Sequence, residues 1–150
     1  MRNYIYGYEP FRSFAYAFPM PYFYKKMIEL RLSMLPVPKS NRYIRRKGGR
    51  VFKPPRVKNW EVRALWEIRE QYTGEPLEGK LSVYIELILP NHRRRDIDNM
   101  LKSLWDVLEK GGVIKNDSQI YEVRTLKRVV KGQQGTLIRL GEFEHGFGDY

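Results

Sequence analysis

The sequence predicts an α+β fold: a single domain in which a mixed or antiparallel β-sheet carries two packed helices, in the order β-α-β-α-β-β. Three observations lead there. Two stretches repeat apolar residues every three to four positions, the period of a helix with one buried face. Four others alternate in polarity or run nearly apolar over strand-like lengths. A chain of 150 residues, 42% of them hydrophobic, suits one core.

The elements follow in order. Residues 1–26 read as an aromatic-rich extension. Tyr4, Tyr6, Tyr8, Phe11, Phe14, Tyr16, Phe18, Tyr22, Phe23 and Tyr24 lie there, and Pro10, Pro19 and Pro21 break regular structure. The extension could stack on unpaired bases, pack on its own domain or a partner, or precede a true start at Met20 or Met27. The domain proper spans 27–141. Between Met27 and Met34, Ile28-Glu29-Leu30-Arg31-Leu32 alternates as a strand with one buried face, ended by Pro36 and Pro38. Gly48-Gly49 between Ile44-Arg45 and Val51-Phe52 marks a hairpin or flexible loop.

Val57, Trp60, Ala64, Leu65 and Ile68 predict a helix over 57–72, stopped by Thr73-Gly74-Glu75-Pro76. Leu81–Leu89 is nearly all apolar, as a central strand would be. A second helix is predicted from Ile97 to Lys110, with Ile97, Leu101, Leu104, Trp105 and Leu108 buried and Gly111-Gly112 as its stop. Ile120–Val130 reads as a long strand, with Thr136–Leu140 paired to it across Gly132–Gly135. The tail, 142–150, is expected to fray from about Gly141 on.

Charge narrows the function. The formal net charge of +11 favours a polyanion, most commonly nucleic acid. Lys39 to Arg63 holds ten basic residues against one acid, Glu61, with Tyr43 and Phe52 interleaved. That is more than solubility requires. Arg42, Arg45, Arg46, Lys47 and Arg50 are therefore candidate nucleic-acid contacts, DNA-binding residues if the partner is DNA. The chain has no cysteine, which excludes disulfides and Cys-ligated zinc and leaves a cytoplasmic setting as the default. His92 and His145 are too few and too far apart for a His-based metal cluster. No apolar run reaches the roughly 18 residues of a membrane helix. Ala15-Tyr16-Ala17 imitates a signal-peptide cleavage site, but no apolar segment precedes it.

The chemistry concentrates in Arg93-Arg94-Arg95-Asp96-Ile97-Asp98-Asn99-Met100-Leu101-Lys102. Three arginines can hold a phosphate backbone. Asp96 and Asp98 can hold a divalent metal beside it, and Lys102, a helical turn on, can neutralise charge on a reacting phosphate. A plainer reading also exists. Asp96 would cap the helix, and Asp98, Lys102 and Asp106 would form ordinary i,i+4 ion pairs. The adjoining arginines favour the first reading, as does a third acid, Asp117, at a turn before a strand. A helix of about 20 Å and seven extended residues spanning about 23 Å would let Asp117 return to the other two. Three carboxylates would bind Mg²⁺ or Mn²⁺ through oxygen.

The run RRRDIDNMLKSLWDVLEKGGVIKNDSQIYEVRTLK resembles the signature of the RusA family, the crossover-junction endodeoxyribonucleases. Asp96, Asp98, Asn99, Lys102 and Asp117 match its Asp-x-Asp-Asn, lysine and distal aspartate in type and spacing. Leu35-Pro36-Val37-Pro38-Lys39-Ser40-Asn41-Arg42-Tyr43 resembles the family's Pro-rich segment, and Gly49-Arg50 its Gly-Arg turn. The likeness covers about Met27 to Leu140. It departs in three places: Asn116 stands where the family usually has another aspartate, Pro54-Pro55 replaces polar residues, and the aromatic extension has no counterpart.

The resemblance implies a RusA-like fold and a homodimer that nicks four-way (Holliday) junctions with Mg²⁺, in DNA recombination and repair. Asp96, Asp98, Lys102 and Asp117 would be catalytic, the three aspartates metal-holding, and Asn41 and Asn99 further DNA contacts. A two-fold-symmetric junction needs two symmetric cuts, which a C₂ dimer supplies. The competing readings are a catalytically inactive structure-selective DNA-binding protein and an RNA-binding protein of ribosomal type.

Overall fold

A computed structural model describes residues 27–38, 44–45 and 47–143. The aromatic extension, Lys39–Tyr43 with Asn41 and Arg42, Arg46, and the tail from Glu144 with His145 lie outside the described residues. The elements are β1 (Ile28–Leu32), β2 (Ile44–Arg45), β3 (Val51–Phe52), α1 (Pro55–Gln71), β4 (Leu81–Leu89), α2 (Ile97–Lys110), a 3₁₀ turn (Asp117–Gln119), β5 (Ile120–Val129) and β6 (Gly135–Glu142). This is the expected α+β order, with a small hairpin of β2 and β3 added. Gly48 and Gly49 at its tip have φ of 102° and 86°, which a side chain would strain.

The main sheet has the order β1-β6-β4-β5 and is mixed. β1 and β4 both pair antiparallel with β6, whereas β4 and β5 run parallel. The expected β5–β6 hairpin does not form. Parallel neighbours need a long crossover, and α2 supplies it, so β4-α2-β5 is a βαβ unit. After β5 the chain crosses the end of β4, where the Val130 and Gly132 N–H groups donate to the carbonyls of Leu89 and Pro90. β6 then enters on the far side of β4. Gly141, expected to fray, is buried within β6, and the Phe143 N–H donates to the Lys80 carbonyl at 2.9 Å.

The core lies between one sheet face and the two helices. Leu30, Leu32, Val83, Ile85, Leu87, Ile138 and Leu140 meet Val57, Trp60, Ala64 and Ile68 of α1 and Met100, Leu104, Val107 and Leu108 of α2. The buried stripe of α2 is rotated from the expected one. Met100, Ser103 and Val107 are buried, while Ile97, Leu101 and Trp105 are only partly so. Ser103 can sit inward because its hydroxyl donates to the Val37 carbonyl. On the other sheet face Tyr84, Ile88 and Leu137 form a smaller apolar cluster. Gly111 closes α2 because a Cβ there would lie 2.8 Å from Ile68 of α1.

Candidate active site

The βαβ unit decides where the chemistry-bearing residues go. β4 ends at Leu89, and the loop through Pro90 and the arginines delivers the chain to α2. Arg93, Arg94, Arg95, Asp96 and Asp98 therefore gather at the carboxyl end of β4, where open sheets with parallel strands commonly place ligands. Asn91 orders the loop: its side-chain oxygen accepts from the Arg93 N–H at 3.2 Å and from Arg95 Nη1 at 2.9 Å. Lys127 near the end of β5 donates to the Arg95 carbonyl at 3.0 Å. Arg93 and Arg94 are exposed.

The capping reading of Asp96 is not what the structure holds. Asp96 occupies the N-cap position with extended φ and ψ of −92° and 121°, but its side chain makes no capping hydrogen bond. Its carboxylate lies 3.7 Å from Arg94 Nε, and both side chains are largely open to solvent. Asp98 follows in the first turn, where the helix N-terminus favours negative charge. No ion pair joins Asp98 to Lys102; both are exposed. Asn99 is half-buried beside them.

Asp117 sits elsewhere. It opens the 3₁₀ turn before β5, and its N–H donates at 2.7 Å to Glu109 in the last turn of α2. Asn116 caps this turn by accepting from the Ser118 N–H at 2.8 Å, and the Gln119 side-chain oxygen accepts from the Asn116 N–H at 3.0 Å. The Asn-x-x-Gln pattern of that capping box was readable in the sequence. Ile120 pairs with Leu81 at the amino end of β4, whereas Lys127, at the Asp96 end, pairs with Leu87. Seven strand residues span about 23 Å, so Asp117 and the Asp96–Asp98 pair occupy opposite ends of one βαβ unit. The linker after α2 carries the chain on to a parallel strand instead of returning it. Among the described residues no three acids or histidines converge to hold a metal within one chain.

The donor chemistry still suits a hard cation. Asp96, Asp98 and Asp117 are exposed, and the Asp98 and Asp117 carboxylates have no ion-pair or hydrogen-bond partner among the described residues. Such oxygen donors fit Mg²⁺ or Mn²⁺ as two half-sites.

The basic hairpin is tethered near the same end. β1 leaves the sheet where Leu32 pairs with Thr136, and Thr136 pairs with Leu87 of β4. Val37, beyond it, touches Ser103 of α2. Arg45, Lys47 and Arg50 are exposed on the hairpin. Sequence reasoning did not single out Asn91 or Glu109, which set the loop and the Asp117 turn. Short polar side chains bonding to nearby backbone leave no periodic signal.

A family model described as "Endodeoxyribonuclease RusA" matches residues 34–140. The chain is 66% identical over 117 residues to a protein named crossover junction endodeoxyribonuclease RusA from Aquifex aeolicus (strain VF5), covering 78% of this chain and 93% of that one. It is 31% identical over 96 residues to the proteins of that name from Escherichia coli (strain K12) and Enterobacteria phage 82, covering 63% of this chain and 80% of each.

Proposed function

Because the chain belongs to the RusA family of endodeoxyribonucleases, we propose that it is a Mg²⁺-dependent endonuclease that resolves four-way DNA junctions by paired symmetric nicks. The observation that carries this is the pair of exposed carboxylates at the head of α2, beside three arginines and one turn from Lys102: Asp98 has no partner among the described residues, and Asp96 has only the 3.7 Å approach of the exposed Arg94. A structural role would have engaged Asp96 in a helix cap and Asp98 in an ion pair with Lys102.

Arg93, Arg94 and Arg95 grip the backbone flanking the scissile phosphate, and the hairpin cations Arg45, Lys47 and Arg50 hold an adjoining stretch. Lys102 offsets the negative charge that builds on the phosphate oxygens as the bond breaks. Asp96, Asp98 and Asp117 hold the cation, Mg²⁺ or alternatively Mn²⁺, which when bound polarises the phosphate and lowers the pKa of water.

Two copies complete the site. A two-fold axis perpendicular to the βαβ unit sets like elements of the two chains antiparallel. The Asp117 end of one βαβ unit then meets the Asp96–Asp98 end of its mate, and the arrangement occurs twice. Two such sites match the two-fold symmetry of a four-way junction. A homodimer working in recombination and repair in the cytoplasm fits this chemistry. Among the described residues no helix is long and apolar enough to cross a membrane.

The test incubates the full chain with a synthetic four-way junction, a matched duplex and an RNA hairpin, with and without Mg²⁺. Paired nicks in the junction alone, dependent on Mg²⁺ and lost on dilution below the dimer threshold, are expected. A junction bound but left intact would support the inactive DNA-binding reading. Preference for the RNA hairpin would overturn both.

A further inference from the structure

We infer that Tyr121, backed by Phe143 and Lys80, is a stacking platform for an unpaired nucleobase beside the Asp117 half-site. The inference rests on the junction-nuclease reading above and adds to it a residue that engages the branch itself.

The β4–β5 ladder changes register between Leu81 and Ser82: Leu81 pairs with Ile120, but Ser82 pairs with Glu122. Tyr121 is the extra residue of this bulge, a device that re-aims a side chain. Its neighbours are committed to the fold. Ile120 packs against the core, and Glu122 accepts a 2.8 Å hydrogen bond from the Ser82 hydroxyl. Tyr121 is left 58% exposed.

The ring is exposed but not loose. The Phe143 ring lies 5.8 Å away centroid to centroid, tilted by 38°, and the backbone of Phe143 is bonded to that of Lys80. Lys80 Nζ sits 4.8 Å from the centre of the Tyr121 ring. A flat, exposed aromatic surface held by a neighbouring ring and accompanied by a cation is what nucleobase stacking uses in single-strand binding. Only two torsions need to be fixed, so little entropy is lost on binding.

Placement supplies the rest. Tyr121 lies four positions after Asp117, a contour of at most about 14 Å, and the 3₁₀ turn between them shortens it. That turn is fixed by Gln119, whose amide donates to the carbonyls of Leu77 at 2.8 Å and Gly79 at 3.1 Å. The platform thus keeps a constant offset from a cation-holding carboxylate. In a duplex the bases are stacked on one another and closed to it; at a branch point they can unstack. The platform therefore selects branched DNA and fixes the position of the nick relative to the branch.

The test reads binding without divalent metal, so cleavage is not needed. Wild type, Tyr121→Ala, Tyr121→Leu and Tyr121→Trp are titrated by fluorescence anisotropy against a four-way junction and its matched duplex. A second junction carries 2-aminopurine at the branch. The Ala and Leu variants should bind the junction on the order of tenfold more weakly, leave duplex binding within about twofold, and abolish the change in 2-aminopurine emission. Trp should preserve all three. Leu keeps apolar cover over Phe143, so a packing defect in Ala alone would separate from loss of stacking. Equal losses on junction and duplex, full function in the Leu variant, or a shift only in subunit association would overturn the inference. Failure of the wild type itself to prefer the junction would instead overturn the nuclease reading.

Discussion

Helices α1 and α2 lie side by side on the same sheet face, yet the carboxylates on the inner face of α1 and those at the head of α2 are treated in opposite ways. On α1, Glu61 and Glu67 are buried and bonded. Lys53 Nζ lies 2.8 Å from Glu61, while Glu67 accepts from the Ser33 N–H and from Arg63 Nε, each at 2.9 Å. On α2, Asp96 and Asp98 are exposed and bind nothing closer than the 3.7 Å approach of Arg94. A buried carboxylate must be bonded to be tolerated. An exposed one beside like charge and arginines gains nothing for the fold. The first kind is therefore spent on architecture, and the second is available to a ligand.

The comparison can be broken most directly at Asp96. Asp96→Asn should lower junction cleavage by roughly 10²–10³-fold or more with the circular dichroism spectrum and junction affinity retained. Loss of fold instead would make Asp96 a structural residue like Glu67. Lys102→Ala should cut turnover by on the order of 10²-fold while leaving affinity within about twofold, since its interaction strengthens in the transition state. A fall in affinity alone would make it a backbone contact.

Glu67→Ala should behave in the reverse manner. It strands the buried Ser33 N–H, so urea unfolding should show a loss of about 1–3 kcal/mol, while the folded fraction cleaves normally. Changing Arg45, Lys47 and Arg50 together to Ala should make the log–log salt dependence of binding shallower by about 2.7 units, at roughly 0.9 per phosphate contact. An unchanged slope would place those three cations away from DNA.

The smallest effect concerns Glu86, buried on the opposite sheet face. Burial holds its carboxyl above the ordinary range, despite the Arg128 guanidinium 3.2 Å away and Arg139 nearby. The folded state keeps this proton to higher pH than the unfolded chain. Ionising Glu86 therefore erodes stability as pH rises from the ordinary carboxylate range through the raised value. Glu29 has the opposite sign: burial is outweighed by hydrogen bonds from Arg31 and Arg139, so its contribution is lost as pH falls. Glu86→Gln should remove only the first slope, visible as a smaller loss of urea midpoint than wild type as pH rises above the ordinary carboxylate range.

Much of this was legible in the sequence because period and punctuation are local. Leu81–Leu89 and Ile97–Lys110 were bounded as the structure has them, and Gly48-Gly49 marked a real hairpin. Pairing partners were not legible. The apolar pattern of Gly135–Glu142 says that a strand is buried, but not that it leaves β5 to lie between β1 and β4. The buried Glu61, Glu67 and Glu86 were missed because their partners come from distant segments or from the unperiodic backbone. For the same reason the distance between Asp117 and Asp96 could not be read from linker lengths. It is set by the parallel direction of β5, which only the assembled sheet fixes.

The position of β6 has a consequence for synthesis. Chains are made from the amino end, and β1 can pair only when β6 has been made, since Leu32 meets Thr136 and Ile28 meets Leu140. The βαβ unit can form while the ribosome is still working, but one edge of β4 stays open until β6 arrives. A nascent chain halted before Gly135 would present two unpaired strand edges, β1 and β4, both rich in apolar side chains. Such edges invite association with other chains. β6 is therefore the strand that closes the sheet, and a pause in translation just ahead of it leaves this chain open to aggregation.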